Sequence, residues 1–554
     1  MAGGSDSTGL DRRGFLGLVG AGVLATTFGG AVTACGTPSA PQTGTALGGS
    51  ELAGVLPAHI PVDFVKPDLA GVNGSPAAYL KYPAQLVEAI KDKPGTGGQL
   101  TAMTPSFWPV PPGLGQNAYY DAVNAKLGAT IKFEQVSGND YQQKLSAMMA
   151  AKQVPEIVVM PSFTVPARFT EGVGSVFADL TDLLKGDEVR KYPMLANIAT
   201  DSWLGCAFNK RLYGVPYPGS PFPETIFYRK DIFEQLGVAP PKSAAEFEQL
   251  CKKITDPAAK RWALGDIFRA MIRMFGGKGD WSRDSSGKLV NQLETEAYVE
   301  AVKFTRSLCA AGYAHPDYVA GALSGTSKHK ELFASGQMLI VQDGVGAWKE
   351  ALAAQRPSNP KFDMAAMPLF NHDGGKPTYP ISTPTSMITM FRKDLSKDRI
   401  EELLRIMNFA ASPIGTQEYH LINYGTEGTH STRDAKGEPQ LNDLGRKEIT
   451  LTYGFFAGPP PIVTNPAYPD FVKASHAWYA DTYAHQIKPL EFGLKVDEPA
   501  EFSKMGQEFQ DKTFDIIFGR TPVEDVTKLA DEWRRKGGDK LREFHLKVLA
   551  DAGR

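Results

Sequence analysis

Seven aromatic residues and one carboxylate stand in segments punctuated by glycine, proline or polar residues: Phe107, Trp108, Phe163, Tyr217, Trp281, Trp348, Tyr424 and Glu427. Flat rings flanked by carboxylates, amides and arginines are what a cleft needs to hold a molecule with apolar faces ringed by hydroxyls, as a sugar has. Each candidate also has a packing alternative. Trp108 reads as a cleft platform or a packed surface ring, and Tyr217 as a cleft floor or a hinge-packing ring. Glu427, between Gly425 and Gly428, is a ligand carboxylate or a structural one. The rigid run Phe455-Phe456-Ala457-Gly458-Pro459-Pro460-Pro461 is a cleft lip or a core anchor.

Catalytic motifs are absent from the sequence. It has no Gly-x-Ser-x-Gly elbow, no His-Glu-x-x-His and no Walker phosphate loop. His315, His372, His420 and His430 are scattered, with no pair at metal-ligand spacing on one helix face. The expectation is a binder that carries no catalytic residues, no metal and no cofactor.

With 59 basic and 61 acidic residues the net charge is -2, which argues against a nucleic-acid partner. A chain of 554 residues with 42% hydrophobic content is too long for one core, so at least two lobes are expected. Cys206, Cys251 and Cys309 have wide spacings and no CxxC pair; they are expected to be structural thiols, with one disulfide and a leftover thiol as the alternative.

The amino terminus carries its own signal. Arg12-Arg13 precedes a Gly- and Ala-rich apolar stretch that ends in Val32-Thr33-Ala34-Cys35, the pattern of a twin-arginine leader with a lipobox. It predicts cleavage after residue 34, acylation of Cys35 and folding before export. The alternative is an uncleaved anchoring helix. No later segment is apolar for long enough to span a bilayer, so the acyl group is the expected membrane attachment.

Residues 35–98 read as a tether and extension in which Ile60–Phe64 and Tyr79–Tyr82 have residues suited to packing. Beyond them, strand, helix, strand, helix, strand over residues 99–160 is an α/β opening. Helices follow over 230–236, 243–254, 295–311 and 398–411, and the apolar strand Gln337–Gln342 looks like a return crossing. The last third reads as helical, over 497–519 and 523–549.

Several segments then fall in a telling order: Gly214-Val215-Pro216, Tyr228-Arg229-Lys230-Asp231-Ile232-Phe233, Pro241-Lys242-Ser243, Gly312-Tyr313-Ala314-His315-Pro316-Asp317, Tyr424-Gly425-Thr426-Glu427-Gly428-Thr429-His430 and Asp531-Glu532-Trp533. In that order they resemble the large extracellular solute-binding proteins of ABC importers, family 1-like, in the subgroup of lipoproteins for oligosaccharides and alginate. The resemblance implies an α/β, two-lobe periplasmic-binding-protein-like fold with hinge strands and a helical C-terminal region. Its lobes would comprise 99–215 with 345–422, and 216–344 with 423–554. It implies a monomeric, lipid-anchored receptor on the extracellular face of the cell membrane, handing a carbohydrate to ABC permease subunits. Some relatives place a calcium loop after the helix that Ser243 caps; Thr255–Trp262 here has one carboxylate and two cations, so no calcium is expected. A binder of peptides or another polar solute, and an exported carbohydrate-active hydrolase, are the competing readings.

Overall fold

The computed structural model describes residues 54–166, 168–321, 328–465, 467–502 and 504–554. The arginine pair, Cys35 and the first part of the tether lie outside them. Nine strands build two sheets: β1 (Gln99–Ser106), β2 (Thr130–Ser137), β3 (Ile157–Pro161), β4 (Val215–Pro218), β5 (Glu224–Tyr228), β6 (Trp262–Leu264), β7 (Met338–Gly344), β8 (Ala365–Ala366) and β9 (Thr385–Phe391). The first sheet has the order β2-β1-β3-β9-β4 and the second β8-β5-β7-β6.

β1, β2 and β3 run parallel, linked by helices α1 (Ala118–Leu127) and α2 (Gly138–Ala151). Asn117 caps α1 by accepting from the Tyr120 N–H, and Gly128 ends it at φ 71, a left-handed conformation that glycine adopts without strain. All five residues of β3 are buried, as a central strand covered on both faces requires. β9 lies antiparallel between β3 and β4, with Ile388 opposite both Met160 and Pro216. The chain leaves the first sheet after Pro218, enters the second at Glu224, and returns between Pro380 and Thr385.

The lobe boundaries differ from the expected ones at two places. β7, read as a return crossing, instead pairs antiparallel with β5 and parallel with β6, and β8 pairs with β5, so residues through about 366 stay with the second sheet. An apolar strand shows that it is buried, not which sheet receives it. Residues 423–457, expected in the second lobe, pack on the first: Tyr453 donates to Asn124 Oδ1 at 2.9 Å, and Phe456 stacks on Phe133 at 5.4 Å. Helix α3 (Pro469–Tyr483) then joins the second lobe, its Trp478 N–H donating to the Met367 carbonyl at 3.2 Å. The helical end is divided more finely than its pattern indicates, into Met505–Ile517, Val526–Trp533 and Asp539–Asp551.

Residues 54–98 form a strap bonded to the body. The Ile60 N–H donates to Ala196 O at 2.7 Å and the Val62 N–H to Asn197 Oδ1 at 2.9 Å. Ala78–Tyr79 pairs in parallel with Val463–Thr464. Three carboxylates of the first lobe receive strap amides: Glu438 from Tyr82 at 2.9 Å, Glu418 from Ile90 at 2.9 Å, and Glu402 from Thr96 at 2.8 Å. Cys206, Cys251 and Cys309 are unpaired; burial pushes the Cys309 thiol up to about 12 and the other two up as well.

Candidate functional site

At the carboxyl edge of the first sheet, a row of rings runs along the lobe. β1 ends at Ser106, whose hydroxyl donates to the Trp108 carbonyl at 2.7 Å and turns the chain so that Phe107 and Trp108 project beyond the strand. β3 ends at Pro161; the Ser162 hydroxyl donates to Thr385 O at 2.6 Å and its N–H to Ser386 O at 3.0 Å, tying the loop that carries Phe163 to β9. Ring centroids along the row lie 6.3 Å apart for Phe163 to Phe107, 5.8 Å for Phe107 to Trp108, 6.2 Å for Trp108 to Phe455 and 5.7 Å for Phe455 to Tyr217.

Phe107, Trp108 and Phe163 are 45%, 47% and 65% exposed, and they are the only exposed Phe, Trp or Tyr residues among the described residues. A group of solvent-facing rings at one strand edge is an incomplete hydrophobic contact, the kind a ligand completes. Two glycines shape it. A Cβ on Gly138, the first residue of α2, would fall 2.2 Å from the Phe107 ring, and one on Gly458 would fall 2.7 Å from the Tyr217 ring. Phe455 is 4% exposed and is the buried anchor that joins Trp108 to Tyr217. The lip-or-anchor alternative at Phe455 thus resolves toward an anchor beneath the row.

The remaining candidates lie elsewhere. Trp348 is in the core: it is 2% exposed, its indole N–H donates to Met364 O at 2.8 Å, and its ring packs against Phe227 and Phe471. It has no free face to offer a ligand. Tyr424 sits under the strap between Tyr82 and His420, where burial pushes its phenol up to about 12. Glu427 accepts from Arg433 Nε at 3.1 Å, and that guanidinium also covers the Tyr82 ring, so the carboxylate has a structural partner. Trp281 is 4% exposed, lies 4.5 Å from the His545 ring and 5.9 Å from Trp533, and borders a cavity of about 480 Å³ in the second lobe.

The cavity also holds Arg269 and Asp280, two polar candidates that the sequence reading passed over although Asp280 adjoins Trp281. In the segment compared with calcium loops, the Asp256 carboxylate accepts from the Ala259 N–H at 3.2 Å and lies 3.8 Å from Arg261, so its neighbours are donors.

Two α/β lobes joined by crossing segments define a two-lobe binding-protein architecture. The chain belongs to the bacterial extracellular solute-binding proteins, whose family model matches residues 118–436. It is 20% identical over 433 residues to the polygalacturonan/rhamnogalacturonan-binding protein YtcQ of Bacillus subtilis (strain 168), a match covering 74% of this chain and 84% of that protein. Among solved structures, it resembles an HMO binding ABC-transporter associated solute-binding protein of Bifidobacterium longum infantis, with TM-score 0.60, 13% identity, and coverage of 82% of this chain and 99% of the other. The N-glycan transport solute-binding protein of Streptococcus pneumoniae gives TM-score 0.57 and 16% identity over 82% and 99% of the two chains. At these identities the structural likenesses establish the fold.

Proposed function

We propose that this chain is the receptor of an ABC importer: it captures a carbohydrate, an oligosaccharide, and delivers it to the membrane permeases without chemical change. The protein works as a monomer held at the outer face of the membrane by an acyl group on Cys35, after export by the twin-arginine route. The observation that carries this reading is the grouping of Phe107, Trp108 and Phe163 at one strand edge, exposed where other large rings are covered. Such rings stack on the apolar faces of pyranoses. The polysaccharide ligands named for the Bacillus subtilis relative support the same class. Closure of the lobes on the ligand would shift a hinge equilibrium, which requires tighter contact in the closed state.

The test is a thermal-shift screen against neutral and acidic oligosaccharides, peptides and metals. A ligand at a hundredfold excess over its Kd adds about 2.7 kcal/mol of stability, a readily measured shift. A shift with an oligosaccharide that is recovered intact supports the receptor. Shifts with peptides alone, or steady release of sugar fragments, would replace it with one of the competing readings. For the anchor, Cys35→Ser should move the protein from the membrane fraction to the medium or periplasm.

A further inference from the structure

The cavity beside Trp281 is enclosed by the helix Phe268–Met274, the hairpin that carries Trp281, and the helical carboxyl-terminal region. It reaches Glu224 and Pro380, where the two crossing segments meet the second lobe. At about 480 Å³ it has the size of a small-molecule site. Two charged side chains stand in it with bonding capacity to spare. Arg269 is exposed and makes no hydrogen bond or ion pair with the described residues. The Asp280 side chain accepts a single bond, from Gln292 Nε2 at 2.9 Å, which leaves most of its lone-pair sites open. The other charges around them are matched: Arg273 with Glu224 at 2.7 Å, and Glu498 with His545 at 3.0 Å.

We propose that this cavity is a second saccharide position, taking a neutral polyhydroxylated ring whose hydroxyls donate to Asp280 and accept from Arg269. The proposal rests on the carbohydrate reading above and adds the charge class of the sugar. A hydroxyl both donates and accepts, so an acceptor-only carboxylate and a donor-only guanidinium in one cavity suit neighbouring hydroxyls. The charges lining the cavity balance, Arg269 and Arg273 against Asp280 and Glu224, with Glu498 held by His545, so neither a carboxylated nor an aminated ring meets an excess of counter-charge. Trp281, Phe268 and Phe502 line the cavity as apolar wall.

Asp280 stands among the cavity walls but keeps solvent access. Burial pushes the Asp280 carboxyl up, with Arg269 opposing, Glu491 and Glu498 reinforcing, and His545 opposing. Hydroxyl donors stabilise the ionised form, so the affinity of the cavity falls as pH drops through that raised value.

The experiment is isothermal titration of the whole protein with maltotriose, cellotriose, mannotriose, galactotriose and trigalacturonate, comparing wild type, Asp280→Asn and Arg269→Gln, with ligand-free melting curves for each. A hydrogen bond to a charged group is worth about tenfold or more in affinity. The expected result is that a neutral trisaccharide binds more tightly than trigalacturonate, and that each variant weakens it tenfold or more without lowering the ligand-free Tm. Variants that bind like wild type, or trigalacturonate as the preferred ligand, overturn the cavity assignment and leave the receptor reading intact. Wild type that binds none of these sugars but shifts with peptides overturns both.

Discussion

Gly138→Ala should weaken ligand binding without weakening the fold. The new Cβ would lie 2.2 Å and 2.6 Å from two carbons of the Phe107 ring. Carbon atoms pack best at about 3.5–4.0 Å, so the ring must move by roughly 1.3 Å or more. Phe107 is 45% exposed and has solvent to move into, while Ala is a better helix former than Gly by up to about 1 kcal/mol. The ligand-free Tm should therefore hold or rise. The stacking geometry on Phe107 is lost; at about 0.5–1.5 kcal/mol beyond area burial, that is roughly a two- to thirteenfold rise in Kd. Titration calorimetry with the oligosaccharide from the thermal screen measures it. Phe107→Ala removes the clash, so adding Gly138→Ala to it should change affinity no further, a coupling that a double-mutant cycle detects. If Gly138→Ala binds normally, or if the two substitutions add, the ring is not part of the ligand surface.

Three further outcomes follow from features away from the row. Trp348→Phe should lower stability by about 1 kcal/mol, through loss of the bond to Met364 O and some packing, with unchanged ligand affinity; weaker binding would restore Trp348 as a ligand residue. His545 is raised to about 9: burial opposes its charge, but bonds to Glu491 and Glu498 outweigh that. A raised folded-state value means stability fully present below about 6.5 and lost as pH rises through 9. At 1.36 kcal/mol per pH unit the gap is worth roughly 3 kcal/mol. Denaturant titrations should lose that much between pH 6 and pH 10, and His545→Gln should flatten the difference. Glu438→Ala leaves the Tyr82 N–H without its acceptor and should destabilise by about 1–3 kcal/mol, with faster hydrogen exchange confined first to the strap.

The placement of Phe107, Trp108 and Phe163 at a carboxyl edge was legible in the sequence, because a strand followed by a polar or Pro-rich break locates such an edge, where ligands gather in α/β folds. Trp348 misled for a local reason. The Gly344-Val345-Gly346 turn suggests a loop, but Trp348 lies in the first turn of the helix Ala347–Gln355, in which Trp348 and Leu352, four residues apart, face the core. That spacing was visible in the sequence and outweighs the glycines. Arg269 and Asp280 were not legible. They share a cavity only because the carboxyl-terminal helices fold back against residues 268–293, a contact that no local pattern encodes.

The strap has a kinetic consequence. Its amides bond to carboxylates 306, 328 and 356 positions later in the chain. The segment made first among those described thus finds its partners only after most of the protein has been synthesised. Contacts of such long sequence separation carry a loop-closure cost and slow the reactions that depend on them. Docking of the strap should then be a late folding event, with its amides the last to gain protection from exchange during refolding. Under the twin-arginine route proposed above, docking of the strap would mark, next to the leader, that the rest of the chain has folded.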